Sequence, residues 1–315
     1  MVEGASEVFE GLMMLKTIGL LSTFWLSTLC APAIAGAQRT TVVLVGTGYP
    51  RPLPQASGPA TAVVVDKRVF LIDAGPGVER QLAAAHLPIN GVEALFVTHL
   101  HSDHTLGLPD LIFTSWVMGR QAKLAAYGPP GLSMMVDHMI AAFAEDIDVR
   151  THGLEHEPSG GYAVDVHEIK SGVIYDSAGV RVTAIPVPHG IWRYAFGYRF
   201  DTPDRSIVIS GDTRPSDSLA AASAGVSILV HEVYPESEYQ HNAGWAKRPD
   251  WLKYMRQFHT SDSELGALAS HARPQLLIMS HIVRSETTAD STLVSGVRSG
   301  GFTGRVVVGH DLDRY

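Results

Sequence analysis

Residues 98–104 read Thr98-His99-Leu100-His101-Ser102-Asp103-His104 and follow directly on the apolar run 94–97. Three imidazoles and one carboxylate fall within six residues, on a turn that leaves a strand. Such a turn aims alternate side chains into one space, and mixed nitrogen and oxygen donors suit zinc or a similar divalent ion. Solvated loop histidines are the plainer alternative, and the density of ligand types at this spacing argues against it. The arrangement recurs downstream: His189 follows the apolar run 182–187, Asp212 follows 206–210 and His281 follows 276–279. In layered α/β proteins ligands gather beyond strand ends, so a His or Asp at each of these ends is the pattern of a site assembled by the whole fold. Taken singly, any one of them could be a turn or capping residue.

Around these positions short β-branched runs at 40–45, 61–65, 68–72 and 94–98 predict strands, with a helix-like stretch at 78–85. Further strands are predicted at 180–187, 195–200, 206–210, 227–231, 275–280 and 305–308, interleaved with helical patterns at 131–145, 215–224, 261–271 and 289–298. The alternation argues for a layered α/β architecture. A chain of 315 residues with 45% hydrophobic and 18% charged content can bury a sizeable core, and the sequence holds no tandem repeat or long linker. One compact domain over residues 38–315 is expected. With Lys+Arg at 24 against Asp+Glu at 32, a net charge of −8, the basic footprint of a general nucleic-acid binder is missing.

The amino terminus predicts export. Lys16 precedes an apolar stretch at 17–29, and Ala33-Ile34-Ala35 or Ala35-Gly36-Ala37 offers the small residues of a cleavage site. The run is shorter than the roughly 20 residues of a spanning helix and is broken by Ser and Thr, so no stable membrane anchor is expected. Residues 1–37 are read as a signal peptide, and the acidic start at Glu3, Glu7 and Glu10 points to Met13 or Met14 as the initiator. Cys30, the single cysteine, lies inside that segment, and Leu29 before it is a poor match to a lipid-attachment site. Removal of residues 1–37 takes away three Glu and one Lys and leaves a net charge of −6. The expected location is periplasmic or secreted.

The seven ligand positions together resemble the signature of the metallo-β-lactamase superfamily, an HxHxDH element followed by a His, an Asp and a His. The resemblance implies a four-layer αββα sandwich. It also implies one metal on His99, His101 and His189, a second on Asp103, His104 and His281, and Asp212 bridging the two. Such ions, zinc first with Mn2+ or Fe as alternatives, hold and deprotonate a water for attack on an electrophilic centre. More of the chain is similar to the RNase Z and arylsulfatase-like branch: Leu44-Val45-Gly46-Thr47-Gly48, Leu71-Ile72-Asp73-Ala74-Gly75-Pro76-Gly77, His231-Glu232 and Phe258-His259-Thr260-Ser261. The likeness implies that His259 protonates a leaving oxygen while Glu232 orients its ring, and Asp103 is counted with them as catalytic. Asp73 is expected to support the ligand loop through hydrogen bonds. The plainer reading of His259 is a residue at the start of a helix that Thr260 or Ser261 caps.

Gly75 and Gly77 flank a turn that needs permissive backbone angles. Asp311 resembles a carboxy-terminal family position, with a surface role for it and His310 equally open. His152, His156 and His167 fall outside the pattern. Trp192, Tyr194, Trp245, Trp251 and Tyr254 could wall a pocket or pack in the core.

The tRNA-processing members of that branch carry a long arm between the third histidine and the bridging aspartate, whereas His189 to Asp212 spans 23 positions here. The missing arm, the acidic charge and the export signal favour a small ester as substrate, a phosphodiester or aryl sulfate, with nucleic acid not expected as a partner and a homodimer left open. Three alternatives stand beside this reading: an RNase Z-like tRNA 3′ endonuclease, a lactonase or β-lactamase, and a non-hydrolytic di-iron redox or binding protein.

Overall fold

Val42 and Leu44 point to one side of the first strand and Val43 and Val45 to the other, and all four are fully buried. Alternation sends successive side chains to opposite faces, so a strand apolar on both faces must lie between two layers. The computed structural model describes residues 39–240 and 250–315. The export segment and Trp245 therefore lie outside the described residues. Gln38–Tyr315 groups as one compact unit.

The first sheet runs in sequence order through β1 (Thr40–Gly46), β2 (Ala60–Val65), β3 (Arg68–Ile72), β4 (Val92–Phe96), β5 (Leu124–Gly128) and β6 (Val164–Glu168). The second comprises β7 (Gly172–Ser177), β8 (Val180–Pro186), β9 (Phe196–Asp201), β10 (Ser206–Ile209), β11 (Ile228–Val233), β12 (Leu276–Ile282) and β13 (Arg305–Val308), again in order. Each sheet begins with antiparallel neighbours and continues with parallel ones.

Three apolar clusters make the layering explicit. Val42, Leu44, Phe70 and Phe96 of the first sheet meet Val182, Tyr198, Phe200, Ile207 and Ile278 of the second. On the outer face of the first sheet, Val43, Leu71 and Leu95 pack under the helices Val78–Ala84, Leu108–Val117 and Leu132–Ala142. On the outer face of the second, Val208, Leu229 and Leu277 pack under Asp217–Ala222, Asp262–Ala272 and Asp290–Ser299. Helices, two sheets and helices form the expected αββα sandwich.

Differences from the sequence reading are local. The helical pattern at 131–145 divides at Phe143 into two helices, Leu132–Ala142 and Ala144–His152. Strands β5, β6 and β7 were not predicted. The first is short and alanine-rich, and the other two are largely exposed edge segments with charged residues, so neither shows a strong β signal. No helix among the described residues is long and apolar enough to cross a membrane.

Candidate metal centre

Strand ends from both sheets deliver the polar residues to one place. Asp73 is the first residue past β3, residues 98–104 follow β4, His189 follows β8, Asp212 follows β10, and Glu232 and His281 lie at the ends of β11 and β12. Two backbone features aim them. His231 pairs with Met279 and Val233 with Ile282, so Glu232 alone faces Ser280 and His281 across a bulge. Asp73 and His281 both adopt left-handed backbone angles, with φ of 60° and 47°. That conformation costs a non-glycine residue about 1–3 kcal/mol and persists where surrounding structure enforces it. Gly77, at φ 92°, fits the expected permissive turn. Gly75 is constrained instead by close approach, since a Cβ there would lie 2.6 Å from the Asp103 backbone oxygen.

Hydrogen bonds fix which nitrogen each imidazole turns inward. Asp73 accepts from the Thr98 backbone N–H and Oγ1, both at 2.8 Å, and from His104 Nδ1 at 2.8 Å, so His104 Nε2 is the nitrogen that faces inward. Thr98 Oγ1 lies 3.0 Å from His99 Nδ1, and the Phe258 carbonyl accepts from His189 Nδ1 at 2.8 Å, which turns both Nε2 atoms inward. The Trp192 indole N–H donates to His101 Nε2 at 2.8 Å. His101 Nδ1 then sits 2.9 Å from His99 Nε2 and 3.1 Å from His189 Nε2, where a cation in place of one proton would meet three nitrogen donors.

Asp212 stands between this trio and a second set. Its Oδ2 is 3.9 Å from both His99 Nε2 and His189 Nε2, and its Oδ1 is 3.3 Å from His104 Nε2 and 3.5 Å from His281 Nε2. His281 Nε2 is also 3.3 Å from Asp103 Oδ2. Ligand atoms lie within 4.8 Å of one another in each of three groups: His99, His101, His189 and Asp212; Asp103, His104 and His281; and Asp212, His259 and His281.

The electrostatics suit a bound cation. His104 Nε2, Asp212 Oδ1, His259 Nδ1 and His281 Nδ1 are buried without a hydrogen-bond partner, a costly state for polar atoms unless something binds them. Burial opposes charge on His104, yet Asp212, Asp73 and Asp103 outweigh it and hold its pKa well above the ordinary imidazole range. Burial likewise disfavours the Asp212 carboxylate, but His281 and His104 outweigh it and keep the group ionised. Burial pulls His101 and His189 down to about 4, leaving neutral rings able to donate lone pairs. Carboxylates that pull protons onto His104, and neutral imidazoles opposite them, are a donor set suited to divalent metal.

His259 closes the helix Trp251–Phe258, and Ser261, not Thr260, caps the helix Asp262–Ala272 through a reciprocal pair with Glu264. The His259 side chain is buried beside the site, with Nδ1 3.3 Å from Glu232 Oε1 and 3.9 Å from Asp212 Oδ2. Glu232 Oε1 accepts from the backbone N–H groups of Thr213 and Thr260, each at 3.1 Å. Burial, then Asp212, pushes Glu232 well above the usual carboxylate range, while burial draws His259 down to about 4. Burial thus opposes charge on both members of this pair.

A cavity of about 200 Å³ opens over these groups, lined by Tyr49, Trp251, Tyr254, Asp103, Asp212 and His259 among others. Of the remaining aromatics, Trp192 packs against His101 with ring centroids 4.7 Å apart, and Tyr194 lies on the surface beside Arg193. His152, His156, His167 and His310 are exposed. Asp311 ties loops together, accepting from Thr47, from the Ser57 backbone and from Gln81. Trp192 and Thr98 were not singled out as ring-orienting residues, and the hint available was their proximity in sequence to His189 and His99.

Comparison with known proteins agrees with this geometry. Residues 68–282 match the family model described as a beta-lactamase superfamily domain. A ribonuclease Z from Mycobacterium sp. (strain KMS) is 34% identical over 277 residues, covering 87% of this chain and 94% of the relative. One from Mycobacterium bovis is 34% identical over 279 residues, covering 87% and 96%. The short form of human tRNase Z shares the fold at 21% identity with a TM-score of 0.64, covering 87% of this chain and 98% of the other. An aligned length of 277 residues that takes up 87% of this chain and 94% of the relative leaves no room for a long additional arm in the relative. The missing arm thus does not set this chain apart from proteins bearing the ribonuclease name, and the expectation against a nucleic-acid partner loses that support. The chain belongs to the metallo-β-lactamase superfamily of metal-dependent hydrolases, within its RNase Z branch.

Proposed function

We propose that this protein is a two-metal phosphodiesterase that cleaves RNA in the manner the name of its mycobacterial relatives describes. One observation carries the chemistry: the two oxygens of Asp212 face two separate sets of donors, with the Glu232–His259 pair alongside. On this reading His99, His101 and His189 hold one ion, Asp103, His104 and His281 hold the other, and Asp212 spans them. Zinc suits the nitrogen-rich set best, with Mn2+ or Fe as alternatives. When bound, such a pair supplies Lewis-acid polarisation of the ester and an activated water. The chain's own residues do the rest. Asp73 and Thr98 hold the rings of His104 and His99, and Glu232 shares a proton with His259, which passes it to the departing oxygen.

A second reading, hydrolysis of a small phosphodiester outside the cytoplasm, draws on the net charge of −8 and on the export reading of residues 1–37. One preparation separates the two. The purified chain, with its metals quantified, is offered a precursor tRNA with a 3′ trailer and, separately, bis(p-nitrophenyl) phosphate. Trailer removal that weakens steeply with salt is expected. Turnover of the aryl diester without RNA cleavage at any salt would favour the second reading, and inertness toward both with two metals bound would sink the hydrolytic proposal. Amino-terminal sequencing of the protein recovered from cells tests cleavage near residue 37.

A further inference from the structure

The helix Trp251–Phe258 carries Trp251, Tyr254 and Phe258 at spacings of three and four, which places them along one stripe. Their rings form a ladder. Trp251 and Tyr254 stack with centroids 4.8 Å apart at 10°, and Tyr254 and Phe258 at 4.3 Å and 18°. The ladder is anchored to the centre at its lower end. Phe258 meets the His189 ring edge-on at 5.2 Å and accepts the His189 Nδ1 hydrogen bond through its carbonyl. Gly190, at φ 53°, exists to let this happen, since a Cβ there would lie 2.1 Å from the Phe258 ring. Tyr254 is thus held between two flat neighbours, its ring 6.1 Å from that of His259, in the wall of the cavity that Asp103, Asp212, His259 and His281 also line.

Its hydroxyl makes no hydrogen bond among the described residues, although Tyr49, Tyr198 and Tyr239 all donate to backbone carbonyls. A phenol clamped by stacking, half-buried, facing a hydrolytic centre and uncommitted is a donor waiting for an acceptor. The environment keeps it a donor: burial first, then the Asp212, Asp103 and Glu232 carboxylates, raise its pKa above the ordinary phenol value. We infer that Tyr254 is a further catalytic residue, its hydroxyl donating a hydrogen bond to a non-bridging oxygen of the phosphoester as negative charge builds there. The inference rests on the phosphodiesterase reading and names a group that the resemblance did not supply.

Tyr254→Phe removes the hydroxyl and keeps the ladder. For bis(p-nitrophenyl) phosphate turnover by the metal-loaded protein, kcat is expected to fall about 10- to 100-fold with KM within about threefold, as loss of one transition-state donor would give. Metal content and Tm should match the parent. Orthovanadate, which mimics the five-coordinate phosphorus, is titrated calorimetrically as the readout independent of turnover, and its affinity should fall by a similar factor while that for phenyl phosphate changes less. Tyr254→Leu, which also breaks the ladder, should add a loss of Tm. Equal kcat and equal vanadate affinity in Tyr254→Phe would overturn the assignment, as would a fall in activity that tracks a fall in Tm, which marks a packing role. Failure of the parent to hydrolyse any diester, with vanadate binding still sensitive to Tyr254→Phe, would count against the phosphodiesterase reading and leave Tyr254 as an oxyanion ligand.

Discussion

Among the buried places that hold polar atoms without hydrogen-bond partners in the described residues, two differ in a telling way. At the strand ends, the unpartnered His104 Nε2, Asp212 Oδ1 and His259 Nδ1 come from separate elements and converge with His281 Nε2 around the Asp212 carboxylate. In the helix Val78–Ala84, Glu79 is equally buried and both its carboxylate oxygens lack a partner, yet it has no ring of complementary donors around it. Burial, then Asp110, raises its pKa to about 8, with Arg120 pulling the other way. Orphans that converge from separate elements mark a candidate cation site, because bound ions can satisfy several of them together. A solitary orphan is a stability cost, offset by the apolar packing of its neighbours.

The contrast is breakable at several points. Asp212→Ala is expected to have the largest effect, losing both metals and about 10⁴-fold in rate, roughly 5 kcal/mol of barrier. Retention of two metals by elemental analysis in that variant would contradict the spanning role. His259→Ala should keep near-normal metal content and lose about 10²–10⁴ in turnover, most for esters with poor leaving groups. Because His259 also lies within ligand distance of Asp212 and His281, a parallel loss of metal would recast it as a ligand.

Glu79→Gln sharpens the other side of the comparison. The folded group holds its proton up to about pH 8 whereas the unfolded one releases it near 4.5, so stability from this residue is complete below about pH 4.5 and drains away as pH rises to about 8. The variant should gain on the order of 5 kcal/mol relative to the parent above pH 8 and nothing below pH 4.5. A parallel shift at both pH values in urea titrations would contradict the assignment. Asp73→Ala should be milder, costing about 10- to 100-fold in metal affinity by freeing the His104 ring. Unchanged affinity in a competition titration with a chelating dye would show that the ring is held by other means.

Legibility followed the physics of each element. Strands such as β1 and β3 carry apolar side chains on both faces and announce themselves, whereas β6 and β7 sit at sheet edges with mixed exposure and do not. His99, His101, Asp103 and His104 were readable because one short turn carries them all. The orientation of their rings was not, because it depends on Trp192, the Phe258 carbonyl and Asp73, which are distant in sequence or are backbone atoms. The proton-donor role of His259 came from the family resemblance, and only the fold shows that its ring lies buried beside Glu232 and Asp212.

What the amino-acid sequence determined by itself was the layered architecture and the identity of the candidate donors, since hydrophobic periodicity and residue type are local properties. Tertiary structure alone decided which nitrogen of each ring faces inward, which oxygen of Asp212 serves which set, and that Tyr254 stands free in the cavity wall. Those outcomes depend on contacts between residues far apart in the chain and on the low polarity of a shared interior, and neither is encoded at any single position.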